Sequence, residues 1–235
     1  MSAWTAKRFW TDVNVVDEEA GFAIHLDARP VKTPAKAPLI VPTRPMAEAV
    51  AVEWTKVDSV VDPNVMPFTR SANAAIDKVA VQFDEVAEII AAYGGSDLLC
   101  YRAENPADLV ARQAEAWDPL LAWAVEKYGA ELRPTAGVMP VEQPREAIAA
   151  LSAQVYAATP FELTALHDLV AMSGSLVIGL AVAAERLDPD TAWALSRIDE
   201  QWQIDQWGED EEASATARIK QTAFNHAATV YQMSK

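Results

Sequence analysis

The hydrophobic period of this 235-residue chain changes once, and that change constrains the fold more than any single motif. Up to about residue 42, apolar and polar residues alternate. Phe9, Val13 and Val15 stand among Thr11, Asp12 and Asn14, and Phe22, Ile24 and Leu26 are separated by Ala23 and His25. A period of two puts alternate side chains on one face of a strand, so His25 is expected to face solvent or a partner. Asp17 to Gly21 and Asp27 to Arg29 read as turns, and Leu39-Ile40-Val41 closes a small antiparallel meander. Pro34 and Pro38 confine their segments to edges or turns. Four short strands bury one face and need something to pack against. Pro45 opens a first helix, Met46 to about Lys56, with Ala47, Val50, Ala51 and Trp54 on its apolar side.

From Ser71 on, apolar residues recur every three or four positions, the helical period. The prolines between Val57 and Arg70 mark the change, so the chain divides into a small β-rich domain, residues 1–62, and a helical domain, residues 63–235. The fold class is α+β, an antiparallel sheet followed by a larger helical part. Ala72, Ala75, Ile76 and Val79 fit one short helix, and Phe83, Val86, Ile89 and Ile90 a second, ended by Gly94-Gly95. Asn105 is the expected N-cap of a long helix beginning at Pro106, with Leu109, Gln113, Ala116, Leu120 and Ala124 turned inward. Gln113 on that face needs a hydrogen-bond partner, and Pro119 predicts a bend at Trp117 and Asp118, with Asp118 capping the second segment. Leu151 and Val155 mark the next helix, and Thr159-Pro160 with Glu162 caps another.

Leu169 to Ala184 is the most apolar stretch. It is too short to span a bilayer comfortably and reads as a central buried helix, with Ser175 to Leu187 apolar nearly all round. Asp188-Pro189 starts a helix to about Trp207, and a last helix covers Glu211 to Met233.

Charge is distributed unevenly. Residues 1–70 hold 8 basic and 9 acidic groups, a net of −1, and the remainder holds 11 and 25, a net of −14. A total of −15 argues against nucleic acid and against an anionic membrane surface as partners. One cysteine, Cys100, precludes an internal disulfide and sits in an apolar run, as a buried inert thiol does. Neither G-x-x-x-x-G-K-[ST] nor G-x-G-x-x-G occurs, so no nucleotide or other cofactor is expected. His25, His167 and His226 stand in no metal-binding context. His167 and Asp168 suggest a base and its orienter, but neighbours on a helix diverge by about 100°, which argues against catalysis there.

The helix ending at Trp207 is the one stretch whose residue types point to a site. Leu195, Ile198 and Trp202 make an apolar stripe, and Ser196, Asp199, Glu200, Gln203 and Trp207 make a second one. Seven acids lie between Asp199 and Glu212. This is either a solvated helix face or an acidic protein-binding surface with an aromatic anchor, formed by Ser196, Asp199, Glu200, Gln203, Trp207, Glu211 and Glu212. Acid–base catalysis by Asp199 and Glu200 on a small molecule is the alternative. The extended, proline-restrained segment carrying Arg29, Lys32 and Lys36 is the basic counterpart, either a solvated loop or a second contact, with the acidic helical domain or with a partner.

Several short pieces occur together in one order. They are Arg8-Phe9-Trp10, Leu26 to Lys36, Glu53-Trp54, Met66-Pro67, Ser71 to Asp77, Asp97 to Trp123, and Leu195 to Ala213. This ordered set resembles the assembly chaperones that bind the α subunit of the catalytic head of ATP synthase, F1. Ala28 stands where the family has Gly between Asp27 and Arg29. The resemblance implies a chaperone and not an enzyme, one that holds the unassembled F1 α subunit and shields the surface later facing β subunits. It implies cytoplasmic residence in a bacterium, or the mitochondrial matrix for a processed protein. The first ten residues show no targeting segment. The other reading of the binder is an interaction module for a different protein.

Overall fold

The computed structural model describes residues 7–137 and 139–235. The chain forms two compact units. The first holds Met1–Phe83, Thr159–Ala165 and Thr229–Lys235, and the second Asp84–Ala158 and Leu166–Ala228. A boundary at 62/63 follows the change of hydrophobic period, whereas the compact units follow packing. Met66 and Ala72, beyond residue 62, belong to the core of the first unit.

The antiparallel sheet is as expected. Strands β1 (Val13–Glu18), β2 (Gly21–Leu26), β3 (Arg29–Pro30) and β4 (Ile40–Val41) form it, with β2 between β1 on one side and β3 and β4 on the other. Val13 pairs with Leu26 and Glu18 with Gly21, so a two-residue turn closes the first hairpin. Gly21 has φ +140°, and a Cβ there would lie 2.3 Å from the Val41 carbonyl oxygen, so only glycine lets β4 approach. At the next turn Asp27, not Ala28, takes the left-handed conformation, at φ 53°. Its Oδ1 accepts from the Thr11 and Asp12 amides at 3.0 and 2.9 Å, and these bonds hold its carboxyl below the usual range.

Two expectations for this region fail. Phe9 is not an inward strand residue. It is exposed, while its neighbour Trp10 is buried against Trp54. The segment around them makes no strand, so the alternation does not extend back from Val13. His25 is half-buried, and its Nε2 is buried without a partner. The expected strand character of residues 1–6 lies outside the described residues.

Helix α1 (Arg44–Thr55) is capped by Thr43, whose Oγ1 accepts from the Met46 amide, and it buries Met46, Ala47, Val50 and Trp54 against the sheet. Glu53 is buried too. Its carboxylate accepts from the amides of Phe68 and Thr69 at 2.7 and 2.8 Å and from Thr69 Oγ1 at 2.7 Å. It thereby serves the open N-terminus of α2 (Pro67–Ala74), which has no side-chain cap of its own. Ala165 and Val230 complete the core, with Phe161, Tyr231 and Met233 packed on it. The Thr43 hydroxyl donates to the Met233 carbonyl.

In the second unit, α3 (Phe83–Ala92) leads through short turns to β5 (Tyr101–Arg102) and α4 (Ala107–Tyr128). Helix α4 starts one residue later than expected, with Pro106 rather than Asn105 in the N-cap position and no side-chain acceptor there. It also runs on through Pro119. Buried Trp117, Leu120 and Leu121 hold it across the missing hydrogen bond, and exposed Asp118 pairs with Arg102 at 2.8 Å instead of capping. Beyond β6 (Thr135–Ala136), which pairs with β5, come α5 (Arg145–Tyr156) and α6 (Pro160–Ser173), whose residues up to Ala165 belong to the first unit. The capping box of α6 forms as expected, with the Thr159 amide donating to Glu162 at 2.7 Å and the Glu162 amide to Thr159 Oγ1 at 3.3 Å.

The apolar run from Leu169 to Ala184 is two helices, not one. Gly174, at φ +73°, separates α6 from α7 (Leu176–Ala183). Every residue of α7 is buried. Its N-terminus is held by Ser175 and by Asp97, which is fully buried. Asp97 accepts from Ser175 Oγ at 2.7 Å and from the amides of Val177 and Leu99 at 3.0 Å each. Burial pushes the Asp97 carboxyl up, against these bonds, and pushes the Cys100 thiol up to about 12. Among the described residues no helix is long and apolar enough to cross a membrane.

Candidate functional site

The helix predicted from Asp188 to Trp207 breaks in the middle. Asp188 caps α8 (Pro189–Leu195), accepting from the Thr191 amide at 3.0 Å, and α9 (Ile198–Trp207) starts afresh. Between them Arg197 sits at φ −118°, ψ 19°, off the helical values. Positions on the two sides of this break no longer share one 100° phase. Ser196 is therefore absent from the predicted face. It is buried, and its hydroxyl donates to the Trp193 carbonyl at 2.7 Å. Glu200, Gln203 and Trp207 all lie on α9 and keep the helical spacing of three and four.

Asp199 also turns inward. It is half-buried, and its Oδ1 accepts from Gln113 Nε2 at 2.6 Å. Gln113 in turn accepts from the Ala103 amide at 2.8 Å. The buried amide on α4 thus has the partner it needed, and Asp199 fastens α9 to α4. Below them the Trp117 indole donates to the Leu195 carbonyl at 2.8 Å. A second tie runs from Arg112 to Asp205 at 2.8 Å, and Gln201 also donates to Asp205. These bonds hold the Asp205 carboxyl below its usual range.

What remains outside is a ridge. Glu200 is paired with Arg197 at 2.9 Å, the residue just before its own helix, and Arg197 lies over the Trp193 ring at 5.6 Å. Trp207 is 80% exposed at the last position of α9. Gly208, at φ 90°, ends the helix, and Asp210 caps α10 (Glu211–Met233) by accepting from the Ala213 amide at 2.9 Å. Glu211 and Glu212 are exposed in the first turn of α10, where carboxylates complement the helix dipole. A shallow groove of about 370 Å³ lies between α9 and α10, lined by Glu200, Gln203, Ile204, Trp207 and Ala213 among others. Asp199 does not line it. The two adjacent carboxylates therefore do not meet in this groove.

Sequence reasoning did not find Arg112, whose partner Asp205 lies 93 positions away. Arg197 and Gln201 it passed over although their partners, Glu200 and Asp205, stand at the local helical spacings of three and four. Nor did it anticipate the contact made by His167. Its Nδ1 lies 3.0 Å from Asp168 Oδ1, so these neighbours meet by folding their side chains together. Both are largely exposed, and the Asp168 hydrogen bond raises the His167 pKa.

The basic segment in the first unit is split. Arg29 lies over the Phe9 ring at 5.3 Å. Lys32 and Lys36 are exposed on the rim of a separate groove of about 560 Å³.

Comparison with known proteins agrees with this architecture. The chain is similar to the crystal structure of Atp12 from Paracoccus denitrificans, with 51% identity, a TM-score of 0.96 and coverage of 99% and 100% of the two chains. An aspartate-to-lysine mutant of the same Paracoccus protein superposes with a TM-score of 0.97 over both chains in full. A mitochondrial atp12 protein of Schizosaccharomyces pombe is 25% identical over 219 residues, covering 88% of this chain and 75% of that one. The ATP12 chaperone protein profile matches residues 7–125, and the chain belongs to that family, the chaperones its ordered motifs resemble.

Proposed function

We propose that this protein is an assembly chaperone for the F1 sector of ATP synthase. It binds the unassembled α subunit through the ridge of Glu200, Gln203, Trp207, Glu211 and Glu212, and β subunits later displace it. The observation that carries the proposal is Trp207, a large indole left 80% exposed beside acids on two successive helices. An aromatic side chain rimmed by charge is the composition of an energetic centre in a protein interface. Charge there sets orientation and on-rate, while the indole supplies affinity without a large buried area, so the complex can be released. Ser196 and Asp199 belong to this reading only as supports, since both face inward. An enzyme built on Asp199 and Glu200 is less supported, because only Glu200 borders the groove.

Isolated F1 α subunit provides the test. Light scattering from it should rise more slowly in the presence of a several-fold excess of this protein, and Trp207→Ala should weaken the protection. Unchanged scattering with the wild-type protein sinks the assignment. Protection that survives both Trp207→Ala and Glu200→Lys places the binding face elsewhere.

A further inference from the structure

The groove in the first unit has the opposite character to the ridge. Lys32, Lys36, Arg70 and Lys78 line it, with a single carboxylate, Asp77. Asp77 is already engaged. Its Oδ1 accepts from Thr33 Oγ1 at 2.6 Å and its Oδ2 from the Ala35 amide at 3.0 Å. These two bonds pin the loop that presents Lys32 and Lys36, and Lys36 itself holds a left-handed conformation at φ 73°. None of the four cations makes an ion pair among the described residues. A cluster of unpaired cations around one satisfied acid stands out in a protein of net charge −15.

The wall of the groove carries two further features. Trp54 is 3% exposed, and its Nε1 donor is buried without an acceptor. The Oδ1 of Asn73 is buried without a donor. Both residues line the groove. Buried polar groups in folded proteins are nearly always paired, so two orphans in one cleft point to something that enters it. An extended peptide offers a carbonyl and an amide at each residue, one acceptor and one donor, which is the pair these side chains lack.

We propose that this groove binds an extended acidic segment of a client polypeptide. Its carboxylates meet Lys32, Lys36, Arg70 and Lys78, and its backbone hydrogen-bonds to Trp54 and Asn73 once these two side chains turn their covered polar atoms to the groove. A cleft of about 560 Å³ suits a short segment rather than a folded surface. The proposal rests on the chaperone reading for the identity of the client, but not for the chemistry of the groove.

A blocked, fluorescein-labelled heptapeptide of alternating Glu and Val is the probe, read by anisotropy against the full chain. It should bind, the Trp54 indole N–H resonance should shift, and Lys32→Glu with Lys36→Glu should weaken binding at least tenfold while the circular dichroism stays unchanged. The same peptide with N-methylated backbone amides should bind less well. Failure of the acidic peptide to bind, or equal binding by a Lys/Val peptide, overturns the proposal. So does displacement by inorganic phosphate alone at millimolar concentration, which marks a simple anion site. Concentration-dependent self-association abolished by the same double charge reversal makes a second copy of the chain the occupant, and also overturns it. Because no α subunit is present, the result is separate from the scattering assay, and either can fail alone.

Discussion

Asp97 and Glu53, buried in the two units, contrast with the acids of the ridge from Glu200 to Glu212. Each buried carboxylate accepts three hydrogen bonds, and each sits at a helix start, Asp97 at α7 and Glu53 at α2. Neither makes an ion pair among the described residues. The ridge acids either pair with one arginine, as Glu200 does with Arg197, or are exposed to water, as Glu211 and Glu212 are. Burial without an ion pair is tolerated only where fixed N–H and O–H donors replace water. An acid in the first setting shapes the fold, and an acid in the second is available to a partner. The residue type is the same, so composition alone does not separate the two roles.

That contrast can be attacked from the buried side first. Trp117→Ala removes the largest fully buried side chain and its bond to Leu195, and should destabilise by about 3–5 kcal/mol. A denaturant midpoint equal to wild type would put Trp117 on the surface and dissolve the distinction between core and ridge around α9. Asp97→Ala should follow, at about 2–4 kcal/mol, because Ser175, Val177 and Leu99 each lose an acceptor in a buried site. If chemical denaturation finds less than about 1 kcal/mol, Asp97 does not hold the start of α7 in place.

Glu53 sharpens the comparison through pH. Burial raises its pKa in the folded state, so its contribution to stability is fully present below the ordinary glutamate value and is lost as pH rises through the raised one. Wild type should therefore lose stability relative to Glu53→Gln over that window. A stability difference independent of pH would mean that Glu53 titrates like a surface acid.

The ridge should respond in the reverse sense. Glu200→Lys should change stability by about 0.5 kcal/mol or less, the size of an exposed helix pair, while reducing α-subunit binding far more. Unfolding of the variant would move Glu200 to the buried class. Unchanged binding would leave the ridge a solvated face. The smallest effect concerns His167. Its imidazole should titrate above the ordinary histidine range by NMR and return toward it in Asp168→Asn, with no measurable change in binding.

Much of this arrangement is legible in the order of residues alone. The alternation of Phe22, Ile24 and Leu26, the Thr159–Glu162 capping box and the all-round apolarity of Leu176 to Ala183 carry the sheet, α6 and α7, because each is a local preference the whole fold reinforces. The failures have one physical origin. Hydrophobic period reports which side of an element is apolar, but not where the backbone leaves its phase. Gly174 gives some warning of a left-handed turn, whereas Arg197 is an ordinary helix former that nonetheless leaves the helical conformation. Pro119 is the converse case, a breaker overruled by the burial on either side of it. For the site, Glu200, Gln203 and Trp207 could be grouped because they share one unbroken helix. Ser196 could not be excluded, since the break that buries it has no sequence mark. The groove around Trp54 and Asn73 brings together positions whose relation depends entirely on how α1 and α2 pack.

The bond from Thr43 to Met233 joins residues 190 positions apart, and Val230 lies in the same core as Trp10 and Ile24. The sheet is encoded early, yet its packing is finished by segment Thr229–Lys235. While the chain is still being made on the ribosome, β1 to β4 and α1 must wait with apolar surface open until residues 229–235 have been added. Any product that stops short of this segment keeps the sheet sequence but lacks its closing layer. Such a product, or a stalled chain, is itself a polypeptide in need of a chaperone, and quality-control proteases should find it in the amino-terminal part rather than at the break.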